Sequence, residues 1–351
     1  MRIAITGIGL VTPFGNDLWD CVSKGIARDF KIKGYREGKE RFIDIAQDAV
    51  KKAIYDSGLS NKLLKTAGVT VSSSKGGILY GDVMNVPNFI GREFGCLGPT
   101  LNVISACATG LNSIIIGTNL IKTGRADIVI SGAVEACLSD FIIAGFSRLG
   151  VLSKDNICRP YSKNRSGFVL SEGSCVFVLE ELNHAQKRGA KIYGEITGWA
   201  SLGDAYHITS LNPSGDTIIQ AIKICLEKSG SNQEEIDYIN THGTGTKEND
   251  LGETVALKKF FGRKIENIPI SSTKGVTGHM LGASGAVELA ICLTAMGEIF
   301  IPPTANFIEP DPLCDLDYVP NKGRNHKINK LLKLSYGFGG HVSCIEVKKF
   351  N

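Results

Sequence analysis

An α/β fold made of two similar halves is the class this sequence predicts, and three observations carry it. Branched, apolar runs of strand length alternate with helical patterns along the chain. The same order of elements runs twice, residues 1–186 and then 187–351, with the halves meeting near residues 181 to 190. Glycine is abundant, 41 in 351 residues, as tight turns and close backbone approaches require.

The first strand, RIAITGIGLV, runs into a turn at Thr12-Pro13-Phe14-Gly15, and KIYGEITGWASL from Lys191 opens the second half in the same way. Apolar residues at three-to-four spacing predict helices over Ile45–Asn61 and Ile218–Asn232, each with a late Ser-Gly. A short strand follows each, GVTVSS and then IDYINTH. Next comes VISACATGLNSIIIG, read as strand, small-residue turn and helix, and its counterpart IPISSTKGVTGHMLGASGAVELAICLTAMG has a longer loop before the turn. Strand pairs close both halves, ADIVISGAVEA with GSCVFVLEEL and LLKLSYGFGG with HVSCIEVKKF. LNSIIIGTNLI is apolar on nearly every face, which predicts a helix buried between layers.

A net charge of +4 without a basic run argues against nucleic acid as a main partner. No apolar run reaches the roughly 20 residues that span a bilayer, so no membrane partner is expected. Ten cysteines, no secretory leader and no CxxC or Cys/His zinc spacing fit a cytoplasmic chain with reduced thiols and no metal.

Cys107 has two readings. Free cysteine is among the most buried residues, so a packed thiol accounts for it. Yet it lies in a strand-to-helix turn among Ala106, Ala108 and Gly110, at a helix N-terminus whose dipole favours a thiolate, as in a nucleophile elbow. His242 ends an apolar strand in NTHGTGTKENDLGE, where Thr244 and Thr246 offer hydrogen bonds to an amide-bearing ligand. Asp250 and Glu253 begin the next helix. His279 precedes the second small-residue turn, flanked by Lys274 and Glu288, a pair able to orient an imidazole once buried. Phe338 stands between glycines in SYGFGG, where its backbone N–H can serve an oxyanion. Each has a plainer reading as a turn, surface or core residue. A sulfur nucleophile with one histidine and a carboxylate suits hydrolysis. A second histidine suits decarboxylative carbon–carbon bond formation, in which two neutral imidazoles stabilise an enolate.

ITGIGLVTPFGN, SACATG, RPYSKNRSGFVLSEGS, LEELNHAQKRGAKIYGEITG, DAYHITS, NTHGTGTKENDLGE, SSTKGVTGHMLGASGAVE, PPTANFIEPDPLCDLDYVPN and SYGFGG follow one another in this order. In these stretches the chain resembles the elongating beta-ketoacyl-[acyl-carrier-protein] synthases of the thiolase superfamily. The resemblance implies a five-layered αβαβα fold and a homodimer, or a heterodimer with a related synthase. It implies Cys107 as acyl acceptor, and His242 and His279 for decarboxylation and condensation. By the same resemblance Lys274 organises the second histidine beside Glu288, and Phe338 gates the site. Its N–H joins that of Cys107 in the oxyanion hole, and Thr244 and Thr246 hold the phosphopantetheine arm. That arm belongs to the acyl carrier protein, so this chain needs no cofactor of its own. Acyl and malonyl thioesters are the implied substrates, with Lys51, Lys52 or Lys65 as candidate docking residues for an acidic carrier.

The chain also departs from the resemblance. It is shorter by roughly 60 residues, mostly before Cys107, in parts that shape the acyl pocket and the dimer-side wall. The gate reads Ser335-Tyr336-Gly337-Phe338 and is followed by His341, which sits behind the gate or reaches the chemistry. Lys247 and Asn249 replace the usual Pro and Gly. A specialised polyketide or unusual-lipid ketosynthase, or a non-catalytic partner subunit, are the alternatives.

Overall fold

The computed structural model describes residues 1–35, 38, 41–76 and 85–350. Among them the strands are β1 (Ile3–Val11), β2 (Gly68–Ser72), β3 (Ile128–Glu135), β4 (Gly173–Glu181), β5 (Gly194–Gly203), β6 (Tyr238–Asn240), β7 (Ile270–Ser271), β8 (Phe300–Ile301), β9 (Arg324–Asn325), β10 (Lys330–Gly337) and β11 (His341–Lys348). The α-helices are α1 (Leu18–Lys24), α2 (Arg41–Ser57), α3 (Asn61–Leu64), α4 (Val86–Phe94), α5 (Thr109–Lys122), α6 (Asp140–Arg148), α7 (Leu182–Lys187), α8 (Asp216–Ser229), α9 (Lys247–Phe261), α10 (Lys274–Thr277) and α11 (Ser284–Glu298). The periodic stretch from Ile45 is thus two helices, α2 and α3, because Gly58 takes φ +64° and Ser60 caps a new turn with its side chain.

Nine strands form one sheet in the order β2-β3-β4-β1-β5-β11-β10-β6-β7, making a mixed α/β fold with helices on its faces. β4 runs antiparallel to β1 and β3, as β11 does to β5 and β10, while β2 is parallel to β3 and β6 to β10. Only Ile3–Ile5 of β1 pairs with β5, which joins the two sets of strands. α2 and α4 share one apolar cluster with β2 and β3; α8 and α9 share another with β10 and β11. Between them α5 and α11 form the central cluster with residues of β1, β4 and β10.

The central helices are buried on nearly every face, as an all-apolar pattern demands. The segment Leu281–Glu298 is long and apolar enough to cross a membrane, yet 83% of it is buried inside the fold as a core helix.

α5 and α11 approach backbone to backbone. A Cβ on Gly110 would lie 2.8 Å from the Gly282 carbonyl oxygen and 3.1 Å from Ala286 Cβ. Gly110→Val is therefore expected to cost about 1–3 kcal/mol by overpacking. A lowered midpoint in chemical denaturation measures it; an unchanged midpoint contradicts this packing.

One local expectation is corrected. The run before Cys107 is not a strand: Val69 bridges Thr100, and pairing ends there. Val103 N–H donates to the Ser72 hydroxyl rather than to a backbone carbonyl, so the ladder is broken by a side chain. The stretch before it includes residues 77–84, which lie outside the described residues, and with them part of the shortened region.

Candidate active site

Cys107 sits in a single 3-10 turn, Ala106–Ala108, that leads directly into α5. Ala106 takes φ +46°, a region costly for a side chain bearing a Cβ and held only where the surroundings enforce it. Here Ser105 N–H donates to Thr109 Oγ1, whose hydroxyl donates to the Ala106 carbonyl. The second half repeats the device. Leu281 takes φ +45°, Leu281–Ala283 is the 3-10 turn, and α11 follows. Gly282 thus occupies in this turn the place that Cys107 holds in the other, with no sulfur there.

Cys107, His242 and His279 line one cavity of about 280 Å³. The two imidazole rings lie edge to face with centroids 5.4 Å apart. Thr244, Thr246 and Phe338 line the same cavity. The backbone N–H of Phe338 favours the Cys107 thiolate, though less than burial disfavours it. β10 is locked to the nucleophile turn because Ser335 Oγ donates to the Cys107 carbonyl, and Gly337 allows backbone contact: a Cβ there would meet Ser105 O at 2.5 Å.

Burial dominates the electrostatics. It pushes the Cys107 thiol up to about 11, with Lys75 and Lys274 opposing, so the helix N-terminus does not win as the sequence suggested. Desolvation, then the charge of Lys274, holds both His242 and His279 well below the usual histidine value. Both rings are therefore neutral near pH 7, each with one N–H to donate. Iodoacetamide is expected to alkylate Cys107 slowly at pH 7 and about tenfold faster per pH unit toward 10, as the thiolate fraction rises. A rate flat with pH in that range, followed by peptide mass spectrometry, contradicts a raised thiol.

Each histidine is fixed differently. His279 Nδ1 lies 2.9 Å from the Ser284 hydroxyl, the first residue of α11. The His242 loop is gripped from behind by Glu253, whose carboxylate accepts the N–H groups of His242 and Gly243 and the Tyr161 hydroxyl. Glu253 therefore does not serve the helix terminus, as first read; it faces back to the loop. Asp250 likewise accepts from Tyr161 N and Gly245 N, and burial raises its carboxyl to about 6.

The expected Lys274–His279 contact is also corrected. Lys274 Nζ donates to the carbonyl oxygen of His242 at 2.6 Å and to Glu288 at 2.6 Å. The lysine thus holds the first histidine's backbone, and Ser284 rather than Lys274 orients the second ring. Thr244 and Thr246 hydroxyls lie 2.9 Å apart at the cavity wall. His341 pairs with Gly337 and Gly203 at the start of β11 and does not line the cavity, so it sits behind the gate. Lys51, Lys52 and Lys65 are exposed but do not line the cavity; Lys51 faces Asp48, and Lys52 donates to the Leu10 carbonyl.

Sequence reasoning missed Ser284, the loop-facing role of Glu253, and a second buried lysine, Lys333. Ser284 carried a weak signal, being five residues from His279. Lys333 carried one as well: a lysine inside the apolar strand LLKLSYG.

Comparison with known proteins bears on what this cavity serves. Residues 30–185 match the N-terminal domain of beta-ketoacyl synthases, and residues 193–308 the C-terminal domain. A tetracenomycin polyketide synthase ketoacyl synthase alpha subunit from Streptomyces glaucescens is 44% identical over 268 residues, 74% of this chain and 63% of that protein. The chain thus spans less than two thirds of that relative. A 3-oxoacyl-[acyl-carrier-protein] synthase 2 from Staphylococcus aureus (strain MRSA252) is 34% identical over 408 aligned positions, covering 100% of this chain and 99% of the relative. Against the 351 residues here, that alignment bears out the shortened length. Among solved structures, a type II ketosynthase captured with its acyl-carrier protein and a hexaketide superposes with a TM-score of 0.94 at 29% identity, covering 100% and 99% of the two chains. An ishigamide ketosynthase/chain length factor gives 0.91 at 28%, also over 100% and 99%.

Proposed function

The chain belongs to the beta-ketoacyl synthase family, and we infer from its cavity how it condenses carrier-bound acyl groups. The observation that carries the reading is the convergence of one sulfur, two neutral imidazoles and Phe338 on a single cavity.

In the first step Cys107 Sγ attacks the carbonyl carbon of an acyl thioester on the carrier. The N–H of Phe338, with that of Cys107, stabilises the developing oxyanion. The carbon–sulfur bond to the carrier breaks, and the departing thiolate takes the proton that Cys107 gives up. In the second step a malonyl thioester enters with its arm along Thr244 and Thr246. The bond to its carboxylate breaks, carbon dioxide leaves, and the electron pair becomes a thioester enolate. N–H groups of His242 and His279 donate to the enolate oxygen. Their low pKa keeps them neutral, so they donate hydrogen bonds without surrendering a proton outright. The enolate carbon then attacks the acyl-Cys107 carbonyl. Its carbon–sulfur bond breaks, the Cys107 thiolate takes a proton from solvent, and a beta-ketoacyl thioester leaves on the carrier.

Reconstitution tests this. The purified chain, an acylated carrier and a malonyl carrier are expected to release carbon dioxide and beta-ketoacyl carrier in equal amounts. Hydrolysis of the acyl carrier in place of condensation overturns the reading, and no turnover with competent carriers favours a partner subunit. A saturated acyl panel read by mass spectrometry separates fatty acid elongation from the second reading. That reading, a polyketide or unusual-lipid ketosynthase, is favoured by the higher identity to the tetracenomycin relative.

The finer architecture belongs to the same reading. Outward from the β1–β5 seam four strands correspond on each side, with β7 added beyond β6, the 3-10 turns match, and three apolar clusters lie against the sheet. These support a five-layered αβαβα fold of two similar halves, residues 1–186 and 187–351. Exposed Leu97, Ile104 and Phe141 support a homodimer, with a heterodimer as the variant to test by native mass spectrometry. Ten free, buried cysteines support a cytoplasmic location.

A further inference from the structure

Lys333 is a fully buried lysine on β10 that the reaction as derived does not use. Its Nζ lies 3.1 Å from the Thr241 carbonyl oxygen, 2.7 Å from that of Leu334 and 2.7 Å from Glu288 Oε2. It donates to the two carbonyl oxygens, while the Glu288 carboxylate oxygen lies within ion-pair distance and favours the ammonium form. Glu288 spends its other oxygen on Lys274, at 2.6 Å.

The two lysines grip one strand end. Thr241 and His242 are consecutive, and each offers its carbonyl to a different ammonium, Thr241 to Lys333 and His242 to Lys274. One carboxylate from α11 bridges both lysines, so elements β10, α10 and α11 close on the end of β6. Two residues beyond Lys333, Ser335 holds the Cys107 carbonyl. The same strand therefore fixes the nucleophile turn and the first histidine.

Charge follows from the same geometry. Two buried ammonium groups share a single buried carboxylate, leaving one positive charge uncompensated inside the cluster. Among the described residues, the titratable and charged groups facing this cluster and the imidazoles include Lys274 from α10, Glu288 and Cys292 from α11, Glu248 and Glu253 from α9, Tyr238 from β6, Lys75 from the loop after β2, Tyr336 from β10, Cys107, and each imidazole itself.

We propose that Lys333 is a positioning residue that clamps the His242 strand end and, through its charge, adds to the burial and the Lys274 charge that keep both active-site histidines neutral. The proposal rests on the condensing reading above. Burial of Lys333 disfavours its charge, and Glu288 opposes that loss. An added proton on either imidazole would sit near this cluster at a cost no exposed histidine meets.

The test separates this proposal from the reading beneath it. Lys333→Met is expected to lower condensation at least about tenfold while Cys107 acylation, followed by intact mass, stays within about twofold. Imidazole signals of ¹⁵N-histidine-labelled protein report protonation independently of turnover. They are expected to titrate at higher pH in Lys333→Met than in the parent protein. Lys333→Gln, which keeps an N–H donor without the charge, is expected to shift the imidazoles as Lys333→Met does, and it serves where the methionine variant does not fold. Unshifted imidazoles in a folded variant overturn the charge role, and unchanged condensation overturns the clamp. A parent imidazole that titrates at or above the free-histidine value of about 6.5 overturns the proposal without any variant. Failure of the parent protein to acylate Cys107 instead defeats the condensing reading and leaves the titration result to stand on its own.

Discussion

Cys107→Ala is expected to lose acyl transfer and condensation by at least roughly 10³-fold, while still releasing carbon dioxide from a malonyl carrier. The division follows from the geometry. Cys107 brings the sulfur to the cavity wall that Phe338 also lines. Alanine there leaves nothing to carry the acyl group, so the covalent step disappears rather than slows. The histidines have their own supports, Ser284 for His279 and the Glu253–Lys274 frame for His242, and none of these passes through the sulfur. Enolate stabilisation therefore survives. Intact-protein mass spectrometry should show one acyl adduct on the parent and none on the variant. An adduct that persists on Cys107→Ala assigns the nucleophile to another cysteine. Loss of decarboxylation together with acylation shows that the histidines depend on the sulfur.

Glu288→Leu is expected to destabilise the fold by about 3–5 kcal/mol, the scale for stripping a buried ion of its partner. Two ammonium groups depend on this one carboxylate, at 2.6 Å and 2.7 Å, and all three side chains are buried. Without it, each lysine keeps only carbonyl partners, and the two like charges face each other in a low-dielectric interior. Urea denaturation followed by circular dichroism measures the loss. A change below about 1 kcal/mol would show that the cluster behaves as a solvated surface pair.

Much of the fold was legible because periodicity and turn chemistry are local. The two passages of small-residue turn and helix in SACATG and GHMLGASG yield matching 3-10 turns, with φ +46° at Ala106 and +45° at Leu281. The all-apolar faces of LNSIIIGTNLI could be satisfied only between layers, and that is where α5 lies. Boundaries were less legible. Gly58 ends α2 earlier than the apolar pattern does, and the run before Cys107 loses its strand because the Ser72 hydroxyl takes the Val103 N–H.

The site divided in the same way. Cys107, His242 and His279 stand in motifs whose residue types announce chemistry, and the fold gathers all three on one cavity. Their supports were misread or missed, since a support is defined by whom it touches across the fold. Glu253 looked like a helix-terminus carboxylate but faces back to the His242 loop. Lys274 lies near His279 in sequence but holds His242.

By itself the sequence determined the alternation of elements, the small-residue turns and the three side chains that gather on one cavity as candidates. These follow from backbone sterics, apolar spacing and functional-group chemistry within a few residues. Only the tertiary structure decided that Cys107 is a raised thiol rather than a dipole-stabilised thiolate, that Ser284 orients His279, and that two lysines share Glu288. Desolvation and buried ion pairing arise from residues as far apart as Glu288 and Lys333, and no local pattern encodes the distance between them.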